Sequence, residues 1–362
     1  MKLFKNDFSN DKQITAIGLM SGTSLDGLDI VLCRFRKDDY WNFEILDSTT
    51  IKYDSNLKQQ LQSSGSLSAY RFIKLHREYG KWTGEQINSF LESNNSVVDI
   101  IASHGHTVFH EPQKKINFQI GDGAIIAATT GITTVSDFRS LDITLGGQGA
   151  PLIPIVDRDL FDEYEACINI GGFANISLNH DNRRKAWDIC PVNSVLNRLS
   201  GSFDMEYDRG GEKGKSGEVI DKLLSELEQL NYYQQTPPKS LGTEWLDNRV
   251  WPLIDKYANH KTENIMATFY KHVANRISSD LNNNSVSKVL FTGGGVKNSY
   301  LISLIKDKYK GELIIPNEKI IDFKEALGFA YLGVLRIMEL PNCLASVTGA
   351  KQDSSSGIVH RI

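Results

Sequence analysis

A phosphate group is best held by backbone N–H donors that only glycine lets come close, and by hydroxyls small enough not to clash. Gly18, Ser21, Gly22, Thr23, Ser24 and Gly27 supply both within one short run, interleaved with Leu25 and Leu28. Asp26 and Asp29 sit in or beside that turn, where a carboxylate can hold Mg²⁺ directly or through water. The same residues also suit an ordinary hairpin turn, and the run has neither the GK[ST] ending of a P-loop nor a GxGxxG dinucleotide pattern. Gly171 and Gly172, followed by Asn175, form a second glycine turn, and Gly293, Gly294 and Gly295 lead into Asn298 as a third. Glycines after a strand also serve close helix packing. Taken together, the three turns specify a nucleotide site, with two facing phosphates and one the adenosine.

His104, His106 and His110 fall on one face of a regular strand, which raises a metal site as an alternative, although no further ligand cluster accompanies them. Cys33, Cys167, Cys190 and Cys343 lie far apart without CxxC spacing and read as reduced, buried thiols.

The elements that must position these residues follow from hydrophobic periodicity. Residues 14–35 and 166–178 each read as strand, glycine turn, strand, so the architecture is expected to be duplicated, one hairpin per domain. Phe72, Leu75, Tyr79, Trp82, Ile87 and Phe90 mark one helical face, and the run VVDIIAS after it reads as a buried strand. The stretches RGGEKGKSGE and TPPKSLGTEW read as surface loops around one helix, EVIDKLLSELEQL. A helix from about Asn264 to Leu281 precedes the strand KVLFTGGG.

A chain of 362 residues with 40% hydrophobic content can bury two cores. Its 40 basic and 44 acidic residues give a net charge of −4 with no basic block, which argues against a nucleic-acid partner. No stretch resembles a signal peptide or reaches the roughly 18 apolar residues of a membrane span. A cytoplasmic protein without membrane contact is expected.

In order along the chain, GLMSGTSLDGLD, SHGHTVFHEP, FQIGD, DFRSLDITLGGQGAPLIP, NIGGFANIS, PPKSLGTEW and TGGGVKN closely resemble the anhydro-N-acetylmuramic acid kinases. The resemblance runs from about Ile17 to Gly349. It implies an α/β fold of two ribonuclease-H-like, actin-like ATPase domains with an active-site cleft between them. The expected division gives residues 1–130 plus about 340–362 to the first domain and 131–339 to the second. It also implies ATP and Mg²⁺ as cofactors and a homodimer. The implied activity is opening of the 1,6-anhydro ring of anhydro-N-acetylmuramic acid by water, with phosphorylation of its 6-oxygen, in peptidoglycan recycling.

Carried over residue by residue, the resemblance assigns Asp188 in AWDICPVNS as the general base; the alternative is a cap for a helix beginning near Pro191. One carboxylate suffices if the leaving 6-oxygen is captured by the γ-phosphoryl group. Asp137 and Arg139 are assigned to the sugar, because a guanidinium fork matches the lactyl carboxylate; otherwise they form a surface ion pair. His104, Thr107 and Asp122 are assigned to sugar hydroxyls. Glu325 either contacts the sugar or the metal's waters, or is a first-turn glutamate that favours a helix dipole. Two departures stand out. The family carries Gln where His106 stands, and DTGPGN where this chain has Asp188, Ile189, Cys190, Pro191, Val192 and Asn193. The second motivates two alternatives, a same-fold kinase for another anhydro or amino sugar and a non-catalytic sugar or nucleotide sensor.

Overall fold

A computed structural model describes residues 13–22, 25–94, 96–181, 183–237 and 239–362. Two compact units emerge, Met1–Leu160 with Phe323–Ile362, and Phe161–Asp322.

In the first unit, β1 (Ile14–Ser21), β2 (Gly27–Lys37) and β3 (Trp41–Lys52) form an antiparallel meander. Then β4 (Ile100–Glu111) joins β1 in parallel and β6 (Thr134–Ser136) joins β4 in parallel. An antiparallel partner, β5 (Ile116–Ile120), extends the far end of β4, and β12 (Ile358–His360) closes the edge against β6. The helix Ala69–Glu92 buries Leu75, Tyr79, Ile87 and Phe90 as the periodicity anticipates. Against β1 lies the later part of the helix Glu318–Ile337, at a distance only glycine permits: a Cβ on Gly18 would stand 1.9 Å from the Ala326 carbonyl oxygen.

The second unit repeats the order. Here β7 (Ala166–Ile170), β8 (Phe173–His180) and β9 (Arg183–Pro191) make the antiparallel meander. β10 (Lys288–Thr292) and β11 (Glu312–Ile314) then add in parallel beyond β7. The sheet order β9-β8-β7-β10-β11 thus matches β3-β2-β1-β4-β6 in sequence and sense. Both are ribonuclease-H-like sheets, and the duplicated hairpins are their equivalent first turns. Ile265, Phe269, Val273 and Ile277 of the helix Thr262–Asn283 fill the core over this sheet.

The division differs from the expected one at both ends. Beyond Thr130, β6 belongs to the first sheet, and the buried Asp142 accepts from the Gly149 N–H at 2.8 Å and the Thr348 hydroxyl at 2.7 Å. Asp157 pairs with Lys324 at 2.6 Å, both side chains 7% exposed, which draws residues up to Leu160 into the same unit. The chain returns at Phe323, earlier than the expected 340, because Ala326 and Gly333 pack on Gly18 and Ala102.

Candidate active site

In the second unit, Gly171 and Gly172 turn the chain between β7 and β8, with the Gly171 N–H donating to the Phe173 carbonyl at 3.0 Å. The Gly172 carbonyl accepts from the N–H groups of Val192 at 2.8 Å and Ser194 at 3.1 Å, tying the turn to the start of the helix Asn193–Ser200. Gly293 has φ +84°, and Cβ atoms on Gly293 and Gly295 would meet Ile170 at 2.7 Å (its carbonyl oxygen) and 2.2 Å (its Cγ2). The third glycine turn therefore lies directly against the second, while Gly294 has open space beside it. Asn175 stands across from Asn169 on one side and Asp188 on the other. The sequence-predicted set Gly171, Gly172, Asn175, Asp188, Gly293, Gly294 and Gly295 is thus gathered at one end of this sheet.

Asp188 is half-buried on β9, beside a register shift between Ala174 and Asn175 that leaves Ile189 as the extra residue. Its Oδ2 accepts from the Leu241 N–H at 2.8 Å, its own N–H donates to the Lys239 carbonyl at 3.2 Å, and its carbonyl accepts from the Tyr232 hydroxyl at 2.6 Å. It caps no helix, since Asn193–Ser200 begins after Val192 without a side-chain cap. Burial pushes its carboxyl above the usual value, and the Leu241 N–H partly opposes that rise. Such a carboxylate is a stronger base than a free one. The segment read from sequence as a surface loop, TPPKSLGTEW, supplies two of these contacts.

Asn298 caps the helix Ser299–Lys306 by accepting from the Leu301 N–H at 3.0 Å, and its amide donates to the Tyr270 hydroxyl at 2.7 Å. Tyr270 donates to Asp208 at 3.1 Å, and Asp208, 4% exposed, also accepts from the N–H groups of Lys213 and Gly214. The other expected surface loop, RGGEKGKSGE, is therefore clasped to the third glycine turn. Sequence reasoning missed Asp208 and Tyr270; the only local signal was an acidic residue before a glycine-rich run.

In the first unit, Thr23 and Ser24 lie outside the described residues. Leu25 adopts a left-handed φ of 57° with its N–H near the Gly22 carbonyl at 3.3 Å, and its side chain enters the core with that of Leu28. Leu25 and Leu28 thus have only backbone groups to offer a ligand. A Cβ on Gly27 would stand 2.5 Å from the Ile51 carbonyl. Asp26 is exposed, and Asp29 accepts from the Thr50 hydroxyl at 2.6 Å. Beneath the turn, the Tyr53 hydroxyl lies 2.7 Å from both Ser21 and Tyr79, and Ser21 lies 3.1 Å from Nδ1 of His106.

The three histidines of β4 diverge, because Gly105 takes a φ of +73° and the pairing shifts again between Thr107 and Phe109. His106 bonds to Ser21, His110 lies 3.3 Å from Asn117, and His104 accepts at Nε2 from Arg139 Nε at 3.0 Å and Nη2 at 2.8 Å. Burial, then the Arg139 charge, pushes His104 well below its usual pKa. Arg139 also donates to the Gly149 carbonyl at 2.6 Å, and burial lowers it to about 10 against the pull of Glu325. Its partners are thus His104 and a backbone carbonyl, not Asp137 as a surface ion pair. Asp137, at a left-handed φ of 55°, accepts from the Ser140 N–H and hydroxyl. Asp122 caps the helix Gly123–Thr130 and meets Arg77 at 3.3 Å. The Thr107 hydroxyl accepts from the Gln119 amide at 3.4 Å.

His104, Asp122 and Asp137 line a common cavity of about 180 Å³ with Gln119, His76 and His360. Thr107, Arg139 and Glu325 are not in its wall. Glu325 lies two turns inside the helix Glu318–Ile337, so it neither opens that helix nor serves as a first-turn glutamate. Its surface is exposed although protein surrounds it, and desolvation raises its carboxyl with Arg139 opposing; the open surface tempers that rise.

The sequence pattern described as anhydro-N-acetylmuramic acid kinase matches residues 14–361. A protein of that name from Francisella tularensis subsp. novicida is 36% identical, covering 92% of this chain and 95% of its own. Those of Sulfurovum sp. and Hydrogenovibrio crunogenus are 34% and 33% identical, covering 95% and 97% of this chain and 98% and 99% of their own.

Proposed function

This chain belongs to the anhydro-N-acetylmuramic acid kinase family and is a kinase, and on that premise we propose how its residues act on the anhydro sugar and ATP. Asp188 takes a proton from water as the water oxygen bonds to the anomeric carbon. The bond from that carbon to O6 breaks, and O6 bonds to the γ-phosphorus as the bond to ADP breaks. The proton on Asp188 then passes to solvent. The products are N-acetylmuramic acid 6-phosphate and ADP, as peptidoglycan recycling requires.

The observation that carries this reading is the state of Asp188. One oxygen is fixed by Leu241, while Oδ1 accepts no hydrogen bond among the described residues and remains for a water. Ring opening needs one activated water, and a positioned base contributes roughly 10²- to 10⁴-fold. In the second unit, Gly171, Gly172 and Gly293–Gly295 are assigned to the nucleotide, with Asn298 holding the third turn in shape. In the first unit, the backbone of Gly22–Asp29 is assigned to phosphate. The cavity of His104, Asp122 and Asp137 offers acceptors and donors to sugar hydroxyls. Arg139 keeps N–H groups beyond those given to His104 and Gly149, and these are assigned to the lactyl carboxylate. Thr107 and Glu325 are assigned supporting contacts to the sugar.

Asp26 suits Mg²⁺ on donor chemistry, since its carboxylate is exposed beside a turn of backbone amides, and Mg²⁺ keeps several waters while using one or two carboxylates. When bound, that ion neutralises charge on the transferring phosphoryl group. We place the protein in the cytoplasm, where its four buried cysteines stay reduced, and as a homodimer, as the resemblance implies. Among the described residues no helix is long and apolar enough to cross a membrane.

Mass spectrometry of the product formed in ¹⁸O water tests the reaction. The expected sugar carries a phosphoryl group and one solvent oxygen. Phosphorylation without solvent oxygen, or no phosphosugar at all, refutes the coupled reaction.

A further inference from the structure

The helix Asp221–Glu228 ends on a carboxylate turned toward the helix Thr262–Asn283. Glu228 Oε1 lies 3.1 Å from His272 Nδ1 and 3.0 Å from the Asn275 amide, and Oε2 lies 3.3 Å from Arg276. Burial alone would raise this carboxyl, but the hydrogen bonds from His272 and Asn275 and the charge of Arg276 hold it below the usual range. A carboxylate can only accept, so Nδ1 of His272 must carry a proton. His272 is completely buried, and that burial lowers its pKa, which keeps the ring neutral and leaves Nε2 as an acceptor. The Tyr233 hydroxyl, 2.9 Å away, therefore donates to it. Arg276 covers the Tyr233 ring at 4.5 Å from its centroid. Glu228, His272 and Tyr233 form a chain with a single proton orientation.

Tyr233 adjoins Tyr232, which donates to the Asp188 carbonyl. Lys239 lies over the Tyr232 ring at 4.7 Å, and its carbonyl accepts the Asp188 N–H, while the Leu241 N–H reaches Asp188 Oδ2. All three of these contacts to Asp188 come from one stretch, residues 232–241, in which Tyr232 is buried and Tyr233, partly buried against the core, carries the hydrogen bond to His272. The hydrophobic core does not require a hydrogen-bonded carboxylate and imidazole there; an apolar pair would fill the same space.

We propose that His272, acting through Tyr233, is the positioning residue that keeps Tyr232, Lys239 and Leu241 on Asp188 and so fixes the aim of that carboxylate. The proposal rests on Asp188 being the base.

Tyr233→Phe removes only the donor and keeps the ring, and His272→Ala removes the acceptor. Both are expected to lower kcat about tenfold with KM for ATP unchanged, part of the roughly 10²- to 10⁴-fold that a positioned base contributes. Because the Leu241 N–H lowers the Asp188 pKa, loosening it moves the acidic limb of kcat/KM upward. His272→Gln, whose amide can donate to Glu228 and accept from Tyr233, restores both. The surrounding titratable or charged groups are Asp188, Cys190 and Asp280 about Tyr232, Arg276, Asp280 and Cys190 about Lys239, and Glu228 and Arg276 about His272; the Tyr233 and His272 variants keep them.

Carboxyl ¹³C NMR, with the Asp188 signal assigned by its loss in Asp188→Asn, reads the same upward shift without any turnover. It therefore still decides the matter if the protein forms no phosphosugar. An unchanged Asp188 titration in folded Tyr233→Phe overturns the proposal, whether or not its melting temperature falls; lowered kcat with an unmoved titration marks a structural role only.

Discussion

Replacing Asp188 with Asn separates the two consequences of placing a carboxylate in this setting. Asn keeps the shape and an oxygen to accept from the Leu241 N–H, and it removes the charge. Loss of the base is expected to lower kcat by roughly 10²- to 10⁴-fold, with KM for ATP little changed because the glycine turns are untouched. Stability should move the other way. Burial raises the folded-state pKa above its unfolded value, so the folded protein binds the proton more tightly. Stability contributed by this group is then full below the unfolded pKa and declines as pH rises through the folded pKa. Above that window wild type carries a constant penalty, worth about 1.4 kcal/mol for each unit of displacement.

Asp188→Asn carries no such penalty. It is expected to melt above wild type at pH 8, by about 2–4 °C for each kcal/mol in a unit of this size, with the difference vanishing near pH 3. Differential scanning calorimetry across that range, beside steady-state kinetics, makes the test. A variant that keeps a tenth of wild-type kcat, or that melts lower than wild type at pH 8, refutes the account of Asp188 as a desolvated base.

Gly18→Ala should destabilise the first unit by about 1–3 kcal/mol or more, because the new methyl meets the Ala326 carbonyl and the helix must shift; chemical denaturation checks it. Tyr270→Phe removes the hydroxyl linking Asp208 to Asn298 and leaves a buried carboxylate short of one donor, so KM for ATP should rise about tenfold, read by kinetics, at a stability cost of about 1–3 kcal/mol. His106→Gln should keep a hydrogen-bonding group near Ser21 and retain activity, whereas His106→Ala should raise KM for ATP; equal behaviour of the two in steady-state assays removes any role for the Ser21 contact.

The glycine turns were legible because a turn has a local signature: β-branched strands on both sides and small residues between them. Their duplication pointed to two like sheets, and the strand orders agree. The surroundings of Asp188 were not legible. Tyr232 and Leu241 lie 44 and 53 residues further along, and Leu241 contributes a backbone N–H that any residue but proline has. Asp208 was obscured by its polar, glycine-dotted neighbours, which read as solvated although its partner Tyr270 is 62 residues away and buried. The unit boundary moved for the same reason, since Asp157 and Lys324 are far apart in the chain and pair only in the fold.

The departure from DTGPGN turns on where its side chains go. Ile189, Cys190 and Val192 are all buried and belong to the apolar cluster of the second unit, so the bulkier residues fill the core behind the strand. The register shift at Ile189 turns Asp188 to one side while its successors face the interior. The backbone work remains with groups that need no glycine: Val192 and Ser194 donate to the Gly172 carbonyl, and Val192 precedes the helix without a side-chain cap. Returning Cys190 to Gly would therefore leave a cavity rather than open the site, at about 1–3 kcal/mol of stability from lost burial and added chain entropy, with kcat unchanged. A Cys190→Gly variant with raised kcat would show instead that the thiol crowds the reacting groups, and would reopen the case for a different sugar.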